Sequence, residues 1–237
     1  MSLHIAPYPL RRWILGCGLV ILAPALVIAG SLDMLSSKDA NAGLRAALSQ
    51  GVDKAIARLG APDGFLANAK YTIPLPPALE KVDRALKLVG MSGDTEALKT
   101  AMNQAAAAAV ADAKPVFKQA VQRMTLADAK GILTGGDTAA TQYFRQATGA
   151  TLASRFKPIV ARATDKMKVR ELYDKYAGQA SQFGLVRAQD ANLNDYVTGK
   201  ALDSLFDVIG EEERAIRADP LGQASSLVKK VFGALQQ

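Results

Sequence analysis

An all-α fold, a compact helical bundle, is what this sequence predicts, and three observations carry the prediction. Half of the residues are apolar but only 6% are aromatic; alanine supplies much of the rest, a balance that suits closely packed helices over a sheet of β-branched residues. Apolar residues recur at spacings of three and four through most of the chain after residue 40, the period of one helix face. Residues 93–124, laid without a gap on residues 136–167, show nine identities in 32 positions. They include Gly93-Asp94-Thr95 on Gly136-Asp137-Thr138 and Lys114-Pro115 on Lys157-Pro158. A period of 43 residues has the length of a helical repeat, yet two copies are too few for a free-standing solenoid. The expected architecture is one all-α domain over residues 30–237, with two tandem Pro-broken units at 93–135 and 136–178 in its middle.

The first 29 residues read as a signal peptide. Arg11-Arg12 precede the apolar run Trp13 to Ala29, and Gly30-Ser31 follow it: a basic region, an apolar region and a cleavage point after Ala29, with Val27 and Ala29 at the small-residue positions. The expectation is export to the periplasm. An alternative is an anchor in the inner membrane, since segment 13–29 is just long enough to span a bilayer uncleaved. Ile14-Leu15-Gly16-Cys17 has the form of a lipobox, although only Trp13 to Gly16 would then precede the cysteine as an apolar region.

The first predicted helix begins near Asp39 or Asn41 and ends at Gly60, with Leu44, Leu48, Val52, Ile56 and Leu59 on one face. Ala61 to Phe65 reads as a turn in which Gly64 accepts positive φ. Tyr71 to Pro77 carries prolines that push their predecessors out of the helical region, which predicts an extended arm. Pro77 suits the first turn of the next helix, with Leu79, Val82, Leu86 and Val89 facing inward and Gly90 at its end. In the first unit Asp94 is placed as an N-cap, and Leu98, Met102 and Ala105 start an apolar stripe. Pro115 breaks that helix after Lys114, whose cation suits a helix C-terminus. A second helix carries Val116, Phe117, Val121 and Met124. Thr125-Leu126-Ala127-Asp128 then forms a capping box for a short third helix to Leu133. The second unit repeats the pattern with Asp137 as N-cap and a break at Pro158, and runs on through Tyr173 and Tyr176 to Gly178; Lys168-Val169-Arg170-Glu171 lacks the threonine cap of the first unit, which allows the second to be one longer helix. Asp190 or Asn192 caps a helix with Leu193, Tyr196, Val197, Ala201, Leu205, Val208 and Ile209 on one stripe. Asp219-Pro220 opens the last helix, with Leu221, Leu227, Val231 and Leu235 on its apolar face.

Asp63-Gly64-Phe65, Ile73-Pro74-Leu75-Pro76, Met102-Asn103, Gly136 to Thr141, Tyr143-Phe144-Arg145, Tyr196-Val197, Lys200 to Asp203, Leu205-Phe206, Glu212-Glu213, Ile216-Arg217 and Asp219-Pro220 carry a resemblance. With them the chain resembles the bacterial domain-of-unknown-function family 4197, from about residue 32 to residue 234. The resemblance implies an exported all-helical protein; it brings no activity, ligand or catalytic residues.

What the mature chain lacks narrows its chemistry. Removing the leader takes away His4, Trp13 and Cys17, the only residues of their kinds, and leaves 27 of the 29 basic residues against 22 acidic ones, a net of +5. No disulfide, Ser-His-Asp site or imidazole or thiolate metal site can be built, and no cofactor or metal is expected. Carboxylate, lysine, serine and tyrosine chemistry remain. Asp203, Asp207 and Glu211 can share a helix face; with Glu212 and Glu213 they suggest a carboxylate- or cation-dependent hydrolase. The competing reading is a solvated face paired to Arg214 and Arg217. Gly135-Gly136-Asp137-Thr138 has the look of an anion cradle, but Asp137 would occupy the anion's place as a cap. Ser154-Arg155-Phe156-Lys157 and Ser226-Leu227-Val228-Lys229 fit Ser-x-x-Lys without the companion motifs of acyl transfer. Tyr143, Phe144, Tyr173, Tyr176 and Tyr196 are the candidate ligand-binding residues, as aromatics that could line a pocket. The leading expectation is a non-enzymatic envelope protein that binds a partner or ligand between helices. No basic cluster with interleaved aromatics points to nucleic acid; an envelope protein, lipid or cell-wall polymer is the expected partner, with association at the membrane surface drawn by the positive charge.

Overall fold

A computed structural model describes residues 37–88, 93–166, 171, 193–220 and 229. Within them the chain is all-α: α1 (Ser37–Leu59), α2 (Pro77–Leu88), α3 (Gly93–Ala111), α4 (Lys114–Arg123), α5 (Leu126–Thr134), α6 (Ala139–Lys166) and α7 (Leu193–Ala218). Several expectations fall outside the described residues: the leader, the Val82 and Leu86 side chains, Val89, the Asp94 cap, Tyr173, Tyr176, the Asp190 or Asn192 cap and the helix after Pro220. No helix among the described residues is long and apolar enough to cross a membrane.

α7 is the axis of the packing, lying against α6, α1 and α3. Its stripe Val197, Ala201, Leu205, Val208 and Ile209 is buried as the periodicity predicts, and so is the α1 stripe from Leu44 to Leu59. α3 is enclosed almost all round. Among residues 101–110 only Gln104 and Ala108, one turn apart, are exposed, and Ala105, Ala106, Ala107 and Ala109 let the backbones of α1, α6 and α7 come close. Where α4, α6 and α7 meet, Phe117 stands edge-on to Phe144 at 5.2 Å and to Phe206 at 6.1 Å between ring centroids, offset geometries that aromatic quadrupoles favour.

Two corrections concern the joints. Gly64 does not take positive φ; a Cβ there would stand 2.4 Å from the carbonyl oxygens of Arg58 and Leu59, so glycine is required by close approach of the backbone. The predicted break into two helices occurs, but it falls before Lys114: Lys114-Pro115 opens the second helix instead of closing the first. α3 ends at Ala111, and Asp112 and Ala113 make three-residue turns onto Ala109 and Val110. Pro115 then sits in the first turn of α4, where its missing N–H costs nothing. Lys114 is therefore not at a C-terminus; it pairs with Asp53 of α1 at 2.9 Å.

The predicted break at Pro158 does not occur: α6 runs as one 28-residue helix through it. Pro158 and Ser154 both lie on the exposed side, so the Ser154 carbonyl that loses its amide partner can turn to water.

Side chains finish what the local sequence leaves open. Residues 72–76 form neither helix nor strand. Asn103 of α3 fastens them, accepting from the Ile73 amide at 2.7 Å and donating to the Ile73 carbonyl at 3.0 Å. Arg45 of α1 donates to the Val121 and Met124 carbonyls at the end of α4, the acceptors that a helix C-terminus leaves unpaired. The Thr125 capping box forms as predicted, with Asp128 reaching back to the Thr125 amide at 2.8 Å. That bond holds the Asp128 carboxyl below its ordinary range.

Candidate functional site

The site lies where α6 begins, and its chemistry follows from how the first four amides of that helix are satisfied. Ala139 bonds to the Gly136 carbonyl at 3.0 Å and Gln142 to the Thr138 carbonyl at 2.9 Å. Ala140 and Thr141 both donate to the Glu213 carboxylate of α7, each at 2.9 Å, and the Thr141 hydroxyl adds a third bond at 2.8 Å. All four donors are accounted for without Asp137, which stands exposed in the preceding turn. The predicted Asp137 cap is therefore replaced by an acid 73 residues downstream of Ala140.

Glu213 is buried and pairs with Arg217 one turn on, at 2.9 Å; Arg217 also donates to the Ile132 carbonyl at the end of α5 at 2.8 Å. A void of about 20 Å³ beside them, bounded by Ala47, Leu48, Phe144 and Ile216, has room for one water. One ion pair thus ties α5, α6 and α7 together. A readable signal was present: Glu213 falls on the buried stripe Leu205, Ile209 and Ile216, where an acid must find a partner. Grouping it with Glu211 and Glu212 as one acidic run hid that signal.

On the outer side of this joint an open groove of about 370 Å³ runs between α6 and α7. Thr138, Thr141, Gln142 and Arg145 line one wall, Phe206, Asp207, Gly210 and Arg214 the other, and Lys70 stands at the rim. The helices are antiparallel here, since Thr141 meets Glu213 and Arg145 meets Asp203.

The acids of α7 go to separate partners. Asp203 pairs with Arg145 at 3.3 Å, and Glu212 with Lys54 of α1 at 3.4 Å. Glu211 takes Lys70 and also Arg58 at 3.1 Å; the Lys70 bond, foremost, depresses its pKa to about 2. Both cations lie over the Tyr71 ring, at 5.1 and 5.2 Å from its centroid. The Tyr71 hydroxyl is buried without a hydrogen-bond partner among the described residues. Its pKa is raised by burial first and then by the Glu211 carboxylate, the latter an effect of proximity since the geometry makes no bond. Arg214, expected to pair along the helix, has no partner among the described residues, and neither has Asp207. No group of three or more His, Cys, Asp or Glu placed to hold a metal ion occurs among the described residues.

Of the candidate aromatics, Tyr143 and Phe144 stand side by side on α6, 5.7 Å between ring centroids, Tyr196 is on α7, and Tyr173 and Tyr176 lie outside the described residues. Phe144 is wholly buried in the phenylalanine cluster. Tyr143 lines a shallow surface between α5 and α6 and donates to the Ala120 carbonyl at 3.0 Å; burial raises its pKa. Tyr196, near the start of α7, donates to the Pro74 carbonyl at 3.1 Å and packs under Lys200.

The family model described as protein of unknown function (DUF4197) matches residues 34–233. That is most of the chain, and the chain belongs to this family. No curated protein and no solved structure matches it.

Proposed function

We propose that this member of the DUF4197 family is an exported, non-catalytic envelope protein that binds a ligand or partner segment in the groove between α6 and α7. One observation carries the reading: Asp207 and Arg214 face the same groove without partners among the described residues, whereas Asp203, Glu211, Glu212 and Glu213 are each engaged by a cation. Carboxylates engaged separately do not supply the paired acid and base that hydrolysis needs. Polar groups left open in a concave surface suit recognition. Export rests on the pattern of residues 11–31.

A photocrosslinking residue at Gln142, in the groove, tests the binding reading when the full-length chain is expressed in its own host. A discrete adduct from position 142 that is absent from a control at Glu96, on the exposed start of α3, supports it. Adducts from neither position, or the same adducts from both, remove it. The mass of the chain recovered from the envelope tests export: a protein still carrying Trp13 overturns cleavage after Ala29.

A further inference from the structure

The charges in the groove are of two kinds. Lys70 and Arg145 stand at its edge but are neutralised by Glu211 and Asp203; Arg214 and Asp207 are left, one of each sign. They lie seven residues apart on α7, two turns along one face, with Gly210 between them. A Cβ on Gly210 would stand 3.5 Å from Arg214 Nη1, so the guanidinium folds back over Gly210 towards Asp207. Asp207 is a further turn away, about 5 Å along the axis, and the two charges do not meet. Gly210 itself is buried, covered by the Arg214 guanidinium and the Thr141 side chain. It sits inside a long helix, where glycine is costly relative to alanine, yet its nearest neighbours at 3.5 to 3.8 Å leave room for a methyl group.

We propose that the groove binds a small zwitterion of amino-acid chemistry, with its carboxylate or other acid group on Arg214, its ammonium on Asp207 and its body between the two. The inference rests on the groove being the binding site. An anion alone would meet Asp207 and a cation alone would meet Arg214, each at a repulsive cost, whereas a zwitterion satisfies both. The guanidinium fork suits an acid group, and Thr138 and Gln142 on the α6 wall add uncharged hydrogen-bonding groups. Three sources share this chemistry: a free amino acid, the two ends of a short peptide, and a phosphoethanolamine headgroup.

Titration calorimetry on the full-length chain tests the proposal, with alanine, dialanine, trialanine and phosphoethanolamine as ligands beside N-acetylated and C-amidated trialanine. At least one unblocked ligand is expected to bind with a stoichiometry of one, and its identity names the source. Blocking either charge of that ligand, and each of Arg214→Ala and Asp207→Asn, is expected to weaken binding at least tenfold. Both side chains are exposed, and an unchanged melting temperature verifies the fold of each variant. Blocked ligands that bind as well as free ones, or variants that bind as well as the parent, overturn the proposal. If none of the zwitterions binds while Gln142 still yields its specific adduct, the zwitterion is wrong and the binding reading stands; if both fail, both fall.

Discussion

Residues 93–124 and 136–167 share nine identities in register and fold differently. The first stretch is α3, a short joint and α4; the second is contained almost entirely in α6. Gly93-Asp94-Thr95 begins α3 inside the helix, whereas Gly136-Asp137-Thr138 is a turn before α6. Asn103 is buried and holds the Ile73 backbone, while its counterpart Gln146 is exposed. Ala113, buried at the joint, corresponds to Phe156, buried in mid-helix. A joint at Phe156 would have to rebuild the core around a large ring, whereas alanine lets the chain turn there with little volume to rearrange. The buried side of α6 is itself unusual: Ala140, Phe144, Thr148, Leu152, Phe156, Val160 and Thr164 recur every fourth residue. Such a stripe drifts around a helix of 3.6 residues per turn, so α6 turns its apolar side from one neighbour to the next. Identical residues set a preference, and the neighbours decide what it becomes.

The largest expected effect tests whether α6 is held from α7. Replacing Glu213 by alanine removes the acid from the half-buried Arg217 cation and leaves the Ala140 and Thr141 amides without their acceptor. Removing one partner of a buried pair costs about 3–5 kcal/mol, to be read as a fall in urea midpoint at constant slope. A cost below about 1 kcal/mol, the range of an exposed pair, would show that α6 starts without help from α7. Next in size is Asn103→Ala, which strips both Ile73 backbone groups of their partners at a cost of about 2 kcal/mol. Gln146→Ala, at the corresponding position, should stay within about 0.5 kcal/mol. Equal effects would mean that the two stretches are alike after all.

The prolines should respond with opposite signs. Pro158→Ala restores an amide for the Ser154 carbonyl and should stabilise by about 1 kcal/mol, a gain in helix propensity reduced by the freedom returned to the unfolded chain. Pro115→Ala removes a residue already suited to the first turn of α4 and should destabilise by about 0.5 kcal/mol. Melting temperatures that move the same way for both would refute the contrast between joint and continuous helix.

Which parts were legible in the sequence follows from distance along the chain. The α1 and α7 stripes could be read because a helix face repeats within four residues, and the Thr125 capping box because its bonds span three. The Glu213 cap, the Arg45 bonds at the end of α4 and the Asn103 clasp span 30 to 79 residues, beyond any local pattern. The same holds for the groove. That Asp203, Asp207 and Glu211 share a face was plain, but which of them would stay uncommitted depended on Arg145, Arg58 and Lys70 arriving from other elements. Pro158 misled because a proline's local preference ignores which side of the helix it faces.

The smallest effect concerns the other acid through which α7 holds its neighbours. Glu213 secures the second stretch, while Glu211 binds Arg58 and Lys70, which flank the turn leading to Ile73 and so to Asn103 of the first. Its pKa falls from 4.5 to about 2 on folding. A depressed carboxyl contributes its stability fully above the unfolded value and loses it as pH falls through the folded one. The window is therefore pH 4.5 down to about 2. The partners are largely exposed, and solvent screening limits the contribution to about 1 kcal/mol. Urea midpoints measured from pH 6 to pH 2 should fall more steeply for the parent than for Glu211→Gln, with the two curves converging at the acid end. A constant gap between the curves would assign the difference to packing of the side chain, and would leave Glu213 as the only acid of this pair through which α7 acts electrostatically.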